Sequence, residues 1–85
     1  MKAIVIVKPK TTVLDPQGVA IRDAVRHHPG LEHAVAGVRA GKRLEIDLEA
    51  SAAADPALEE KLHAVCRDLL SNPVIEDYEL QIVPG

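Results

Sequence analysis

Two Asp-Pro pairs, Asp15-Pro16 and Asp55-Pro56, constrain the folding of this chain more than any other feature. Proline breaks a helix interior but suits the first turn, where its missing N–H has no partner to lose and its fixed φ already fits. An Asp just before it supplies a capping carboxylate. Each pair therefore reads as a helix start. Apolar residues at helical spacing follow both pairs, so the chain divides into two similar halves.

In the first half, Ala3-Ile4-Val5-Ile6-Val7 is a short β-branched run closed by Lys8-Pro9, the pattern of a strand buried on both faces. The helix after Asp15 carries Ile21, Ala24 and Val25 on one side and ends at Pro29-Gly30. Leu31 to Ala40 is expected to form a second strand, anchored by Val35 and Val38, with Ala40-Gly41 turning into a third. In that third strand Leu44, Ile46 and Leu48 alternate with Glu45, Asp47 and Glu49.

The second half opens with the small-residue connection Ala50 to Ala54. Leu58, Leu62, Val65 and Leu69 then form a helical stripe, which Ser71-Asn72-Pro73 terminates because a residue before Pro is pushed out of the α region. A last strand alternates Tyr78, Leu80 and Ile82 with Glu79 and Gln81. The predicted order is β-α-β-β-α-β, an α+β ferredoxin-like sandwich with an antiparallel four-stranded sheet and two helices on one face, as a single domain over residues 1–85. Its first and third strands are central. Two helices cover only one face, so either Ile4 and Ile6 or Ala3, Val5 and Val7 point away from them. Exposing an Ile forgoes about 1.5–3 kcal/mol. A second copy of the chain is the simplest cover for that face.

Composition narrows the functional classes. Eighty-five residues with no Phe or Trp and one Tyr must build a core from small aliphatic pieces, and chains of this length are marginal in isolation. A formal charge of −3 with cations scattered singly argues against nucleic acid. The single Cys66 has no intramolecular disulfide partner. The apolar run at the start is too short for a signal peptide or a membrane span, so a cytoplasmic protein with no membrane partner is expected.

The residues that carry chemistry elsewhere have plainer explanations here. His27, His28 and His33 cluster in sequence, and His63 and Cys66 share a helix face, but such spacing arises by chance and free Cys is usually buried. Ser51, Ser71, Thr11 and Thr12 have no base that spacing would force beside them and fit turns. Glu45, Asp47 and Glu49 fit a solvated strand face. Gly18, Gly37 and Gly41 are isolated and make no phosphate cradle. Ile and Val stand where an RNA-binding sheet would need aromatics.

Three segments carry a resemblance. Val13 to Gly18 (VLDPQG), Val38 to Glu49 (VRAGKRLEIDLE) and Cys66 to Tyr78 (CRDLLSNPVIEDY), in this order and at these distances, strongly resemble the PurS family, small subunits of phosphoribosylformylglycinamidine synthase. The likeness covers nearly the whole chain, and NPVIEDY is its most specific piece. Lys10-Thr11-Thr12 departs from the family's usual shorter lead, and Arg43 stands where a Tyr is common. The resemblance implies a non-catalytic subunit of the fourth step of purine synthesis. It would scaffold a large synthetase subunit, which uses ATP and Mg, and a glutaminase subunit, so that ammonia passes between them; no catalytic residue, cofactor or metal is expected on this chain. Self-association into a dimer or tetramer is also expected. The candidate oligomer or partner interface is Ile4, Ile6, Asp15, Pro16, Arg39, Asn72, Pro73 and Tyr78. The main rival is a ferredoxin-like small-molecule-binding regulatory domain.

Overall fold

The computed structural model describes residues 1–84. Its core is a three-stranded antiparallel sheet of β1 (Lys2–Pro9), β2 (Lys42–Asp47) and β3 (Glu76–Val83), in the order β2-β1-β3. Two helices, α1 (Pro16–Arg26) and α2 (Leu58–Val65), complete an α+β fold. No helix among the described residues is long and apolar enough to cross a membrane.

The predicted fourth strand is absent: Leu31 to Ala40 forms a turn and then runs without regular structure. Val35 and Val38 are three apart with Gly37 between them, so this stretch has no two-residue alternation to fix a face. With that strand missing, β2 lies at the sheet edge, and only β1 is central. The observed order is the split-βαβ order lacking the strand beside β2.

Register decides which side of β1 is buried. Val5 lies between Leu44 and Leu80, Ala3 between Ile46 and Ile82, and Val7 beside Tyr78. Ala3, Val5 and Val7 are fully buried, and Cys66 and Leu70 of the second helical segment pack with Val5 and Val7. Ile4 and Ile6 occupy the other face, and each is only half-buried. That face is less apolar than the sequence implied, because the residues flanking the two isoleucines are Glu45, Gln81, Arg43 and Glu79. Lys8 bonds Glu79 at 3.0 Å, Lys10 bonds Asp77 at 2.7 Å and Arg43 pairs with Glu45, so long charged stems border a two-residue apolar strip.

The second helix departs from the predicted stripe. After Val65 the chain enters a π turn over Cys66–Leu70, closed by the Ser71 N–H donating to the Cys66 carbonyl at 3.0 Å. The buried series becomes Leu62, Cys66 and Leu70, while Val65 is 38% and Leu69 is 77% exposed. The helix also begins later than Asp55-Pro56, after a 3₁₀ turn over Ala50–Ala54. Asp55 instead accepts from the Ala57 N–H at 2.8 Å and from Lys61 at 2.6 Å.

The first helix does begin at Pro16, as its Asp-Pro pair predicts, yet it contributes nothing to the buried cluster on the sheet. Its one buried residue is Gly18, so the expectation of two helices side by side on one face does not hold. α1 packs against its own return segment: Arg26 Nε donates to the Val35 carbonyl at 2.8 Å, and Gly18 lies against the Val38 carbonyl. Helix and return segment form an arm. The chain measures 52 × 28 × 14 Å, and its radius of gyration of 16.9 Å exceeds the about 12 Å expected of a compact domain this long. An eight-residue strand spans only about 26 Å, so roughly half of the long dimension lies outside the sheet.

Candidate interface

One end of the sheet collects most of the residues singled out from the sequence. The loop after β1 meets the loop before β3 through the Lys10 N–H, which donates to the Ile75 carbonyl at 2.9 Å. The segment leading into β2 joins the same end, since Gly41 packs on the backbone of Val7 and Lys8. Asp15, Pro16, Arg39, Asn72 and Pro73 are thereby brought to one edge of the molecule, while Ile4 and Ile6 lie on the open sheet face.

Asp15 is the hinge pin of this end. Its carboxylate does not make the predicted capping bond but accepts the Ala40 N–H at 2.9 Å, tying the start of α1 to the end of the return segment. That bond, followed by the nearby Gly18 and Gln17 N–H groups and the charge of Arg39, holds the Asp15 pKa below the usual carboxylate value. Gly18 has to be glycine for the same closure: a Cβ there would lie 2.2 Å from the Val38 carbonyl oxygen and 2.7 Å from Asp15 Oδ2.

Asn72 builds a self-contained turn. Its Oδ1 accepts the Val74 N–H at 3.1 Å, its carbonyl accepts Ile75 and Glu76 N–H groups at 3.0 and 2.7 Å, and its own N–H donates to Glu76 Oε1 at 2.8 Å. The turn presents apolar side chains outward: Val74 is 77% and Ile75 is 42% exposed. Leu14 (78%) projects from the loop before α1, and Leu69 from the π turn that leads to Ser71. Sequence reasoning missed Leu14 and Leu69 as surface residues. The helical spacing places Leu69 in the core stripe, and only the π turn moves it out.

Tyr78 is turned inward. Opposite Val7 on the helix side of β3, it brings its hydroxyl within 2.8 Å of His63 Nδ1, with the rings 5.8 Å apart and tilted by 53°. The tautomer of the imidazole sets which group donates. The only aromatic side chain thus joins α2 to the last strand.

Two other histidines contact backbone: His27 Nδ1 lies 2.6 Å from the Asp23 carbonyl, and His28 Nδ1 is 3.2 Å from that of Pro29. The described residues contain no group of three or more His, Cys, Asp or Glu side chains arranged to hold a metal. Burial of Cys66 raises its thiol pKa, which disfavours the reactive thiolate. Ser71 Oγ donates to the Cys66 carbonyl at 2.7 Å, inside the π turn. Glu45 has its pKa lowered, chiefly by the hydrogen bond from Arg43 and then by Lys2. The exposed apolar side chains of Leu14, Leu69, Val74 and Ile75 suit contact with other proteins.

Comparison with known proteins identifies relatives. Residues 2–84 match the model of the PurS family, described as phosphoribosylformylglycinamidine (FGAM) synthase. The phosphoribosylformylglycinamidine synthase subunit PurS of Bacillus subtilis is 40% identical over 81 residues, covering 95% of this chain and 90% of its own length. The solved structure of B. subtilis PurS superposes with a TM-score of 0.81 at 38% identity, covering 98% of both chains. A chain of the PurLQS structure from Thermotoga maritima matches with a TM-score of 0.65 at 28% identity, over 96% of this chain and 95% of its own.

Proposed function

This chain belongs to the PurS family, and from that premise we propose that it is the small subunit of phosphoribosylformylglycinamidine synthase in purine biosynthesis. The observation that carries the reading is the family match across residues 2–84. As in the PurLQS structure of the T. maritima relative, it works in company with other subunits. The chain scaffolds a synthetase subunit, which uses ATP and Mg, and a glutaminase subunit. Ammonia released from glutamine is then delivered to formylglycinamide ribonucleotide without escaping into water, where it would be protonated. The loop-built end bearing Asp15, Asn72 and Pro73, with exposed Leu14 and Val74, is the docking surface this reading favours. Function and location both follow the cytoplasmic pathway, and the family match does not favour the rival regulatory-domain reading.

The chain also associates with itself, and the arm supports a route other than the sheet face. Ala36, Gly37, Val38 and Arg39 line an open groove of about 470 Å³ beside the return segment. The strand missing from the split-βαβ order belongs beside β2, which is the part of the sequence this segment occupies. Exchange of Val35 to Ala40 onto the β2 edge of a second copy supplies the fourth strand to each. The radius of gyration, too large for a closed monomer, supports such an open protomer.

The reading is tested by reconstitution. Purified synthetase and glutaminase subunits should make formylglycinamidine ribonucleotide from glutamine efficiently only when this chain is added. Equal glutamine-dependent rates without it would remove the scaffold role.

A further inference from the structure

We infer that the π turn after α2 is a positioning device that holds Leu69 outward as the anchor of a docking surface. The surface it enters is an apolar pocket rimmed by Lys and Arg on another subunit of the synthase. This rests on the scaffold reading above and adds to it the anchoring residue, the residue that sets it and the chemistry of the partner.

A π turn is rare and occurs mostly as a single widened turn at functional sites. Here it decides which of two adjacent leucines is buried. Leu70 packs on the cluster of Val5, Val7 and Cys66, and Leu69 is turned into solvent. An α-helical continuation would set Leu69 in line with Leu62 and Val65. In such a helix the Cys66 carbonyl would take the N–H of Leu70, four residues on. Ser71 claims that carbonyl instead, donating from its N–H at 3.0 Å and from its Oγ at 2.7 Å. Ser71 is thus the residue that sets the wider turn.

The apolar surface extends to both sides of Leu69. Val65, one helical turn earlier, is 38% exposed, and the chain runs from the π turn directly into the Asn72 turn, where Val74 projects. A chain of 85 residues has little apolar area to spare, so three such side chains left in water mark a contact surface.

Charge selects the occupant. Ten of the twelve charged residues from Leu44 onward are acidic. On the sheet, Glu45, Asp77 and Glu79 already face Lys or Arg side chains. Along α2 and the π turn the balance is left open. Lys61 is taken by Asp55 at 2.6 Å, and among the described residues Glu60 and Asp68 enter no ion pair, with Arg67 beside them. An acidic rim repels phosphate backbones and anionic bilayers and is complementary to a basic protein surface. The chain's own cations without a carboxylate partner in the first half, Arg26, Arg39 and Lys42, lie on the arm or at its end. The arm exchange proposed above commits that segment to the β2 edge of a second copy, so the basic rim belongs to a different subunit.

The test uses the full chain with purified synthetase and glutaminase subunits, each bound separately at equilibrium. Leu69→Ala should raise the dissociation constant for one of them about tenfold, as loss of a central anchor does. Asp68→Lys should slow association about fivefold and flatten its dependence on salt, since a rim charge acts mainly on encounter. Ser71→Ala, folded by circular dichroism, should weaken the same contact with Leu69 intact, and Ser71→Thr, which keeps the hydroxyl, should restore it. In the reconstituted synthase, Leu69→Ala should raise about tenfold the concentration of chain that gives half the maximal glutamine-dependent rate, leaving the rate at saturation unchanged. Asp68→Lys that associates faster overturns the inference, as does a Leu69→Ala effect confined to the chain's own sedimentation, which would make the occupant a second copy. A native chain that binds neither subunit removes the scaffold reading and this inference together. A native chain that binds, with Leu69→Ala binding equally well, leaves the scaffold reading standing and removes only the anchor.

Discussion

Replacing Tyr78 with Phe isolates one hydrogen bond in a chain with no other aromatic residue. The Phe ring fills the same site beside Val7 and changes only the hydroxyl that lies 2.8 Å from His63 Nδ1. A hydrogen bond of this kind contributes about 0.5–1.5 kcal/mol net, and His63 is exposed enough for water to take the vacated place, which argues for the middle of that range. For a chain of this size, about 1 kcal/mol corresponds to a fall in Tm of about 4–8 °C. The assay is thermal unfolding followed by circular dichroism at one fixed protein concentration, because self-association would otherwise move Tm by mass action. A double-mutant cycle with His63→Ala should recover a coupling of similar size. Since the hydroxyl faces α2, capture of the other synthase subunits by Tyr78→Phe should be undiminished. An unchanged Tm together with lost capture would show that the hydroxyl points at a partner instead and would refute the inward reading.

Three further outcomes are expected. Leu70→Ala, which removes a side chain packed on the core, should cost about 2 kcal/mol, whereas Leu69→Ala at a 77% exposed site should stay within about 0.5 kcal/mol; urea unfolding of the pair reads the phase of the π turn directly. Gly18→Ala should loosen the arm, seen as faster amide exchange in residues 35–40, while leaving the exchange of β1 unchanged, because α1 shares no buried cluster with the sheet. Asp15, Glu45 and Asp55 all have pKa values lowered by folding, so the unfolded chain binds more protons as pH drops. Their contribution should be intact above the ordinary carboxylate values of 3.8 and 4.5 and fade as pH falls through the depressed ones, giving a Tm that declines on the acid side.

The parts of this fold that were legible in the sequence are those with local causes. Alternation in Leu44 to Leu48 and in Tyr78 to Ile82 marks β2 and β3, and Pro16 marks the first residue of α1. The stretch from Leu31 to Ala40 failed because being a strand depends on a pairing edge, which no local pattern records. The Leu58, Leu62, Val65, Leu69 stripe failed at its last two positions because a π turn adds one residue to the period, and Cys66 and Leu70 satisfy the shifted phase. Of the candidate interface, Asp15, Asn72 and Pro73 were identified through motif likeness, but their convergence at one end depends on bonds between residues 25 and 65 positions apart, such as Asp15 with Ala40 and Lys10 with Ile75. The Tyr78 and His63 contact is equally nonlocal, and neither residue signals the other. The inward turn of Ala3, Val5 and Val7, and not of Ile4 and Ile6, is set by ladder register against β2 and β3.

The arm hangs from a few polar and backbone contacts, with Gly18 and Asp15 at its root and Arg26 bracing its middle. Because it shares no apolar layer with the strands, selection is free to lengthen, tilt or restyle it in different lineages without endangering the part that keeps the polypeptide folded. A subunit whose business is to fit others is thereby given an adjustable limb on a fixed torso.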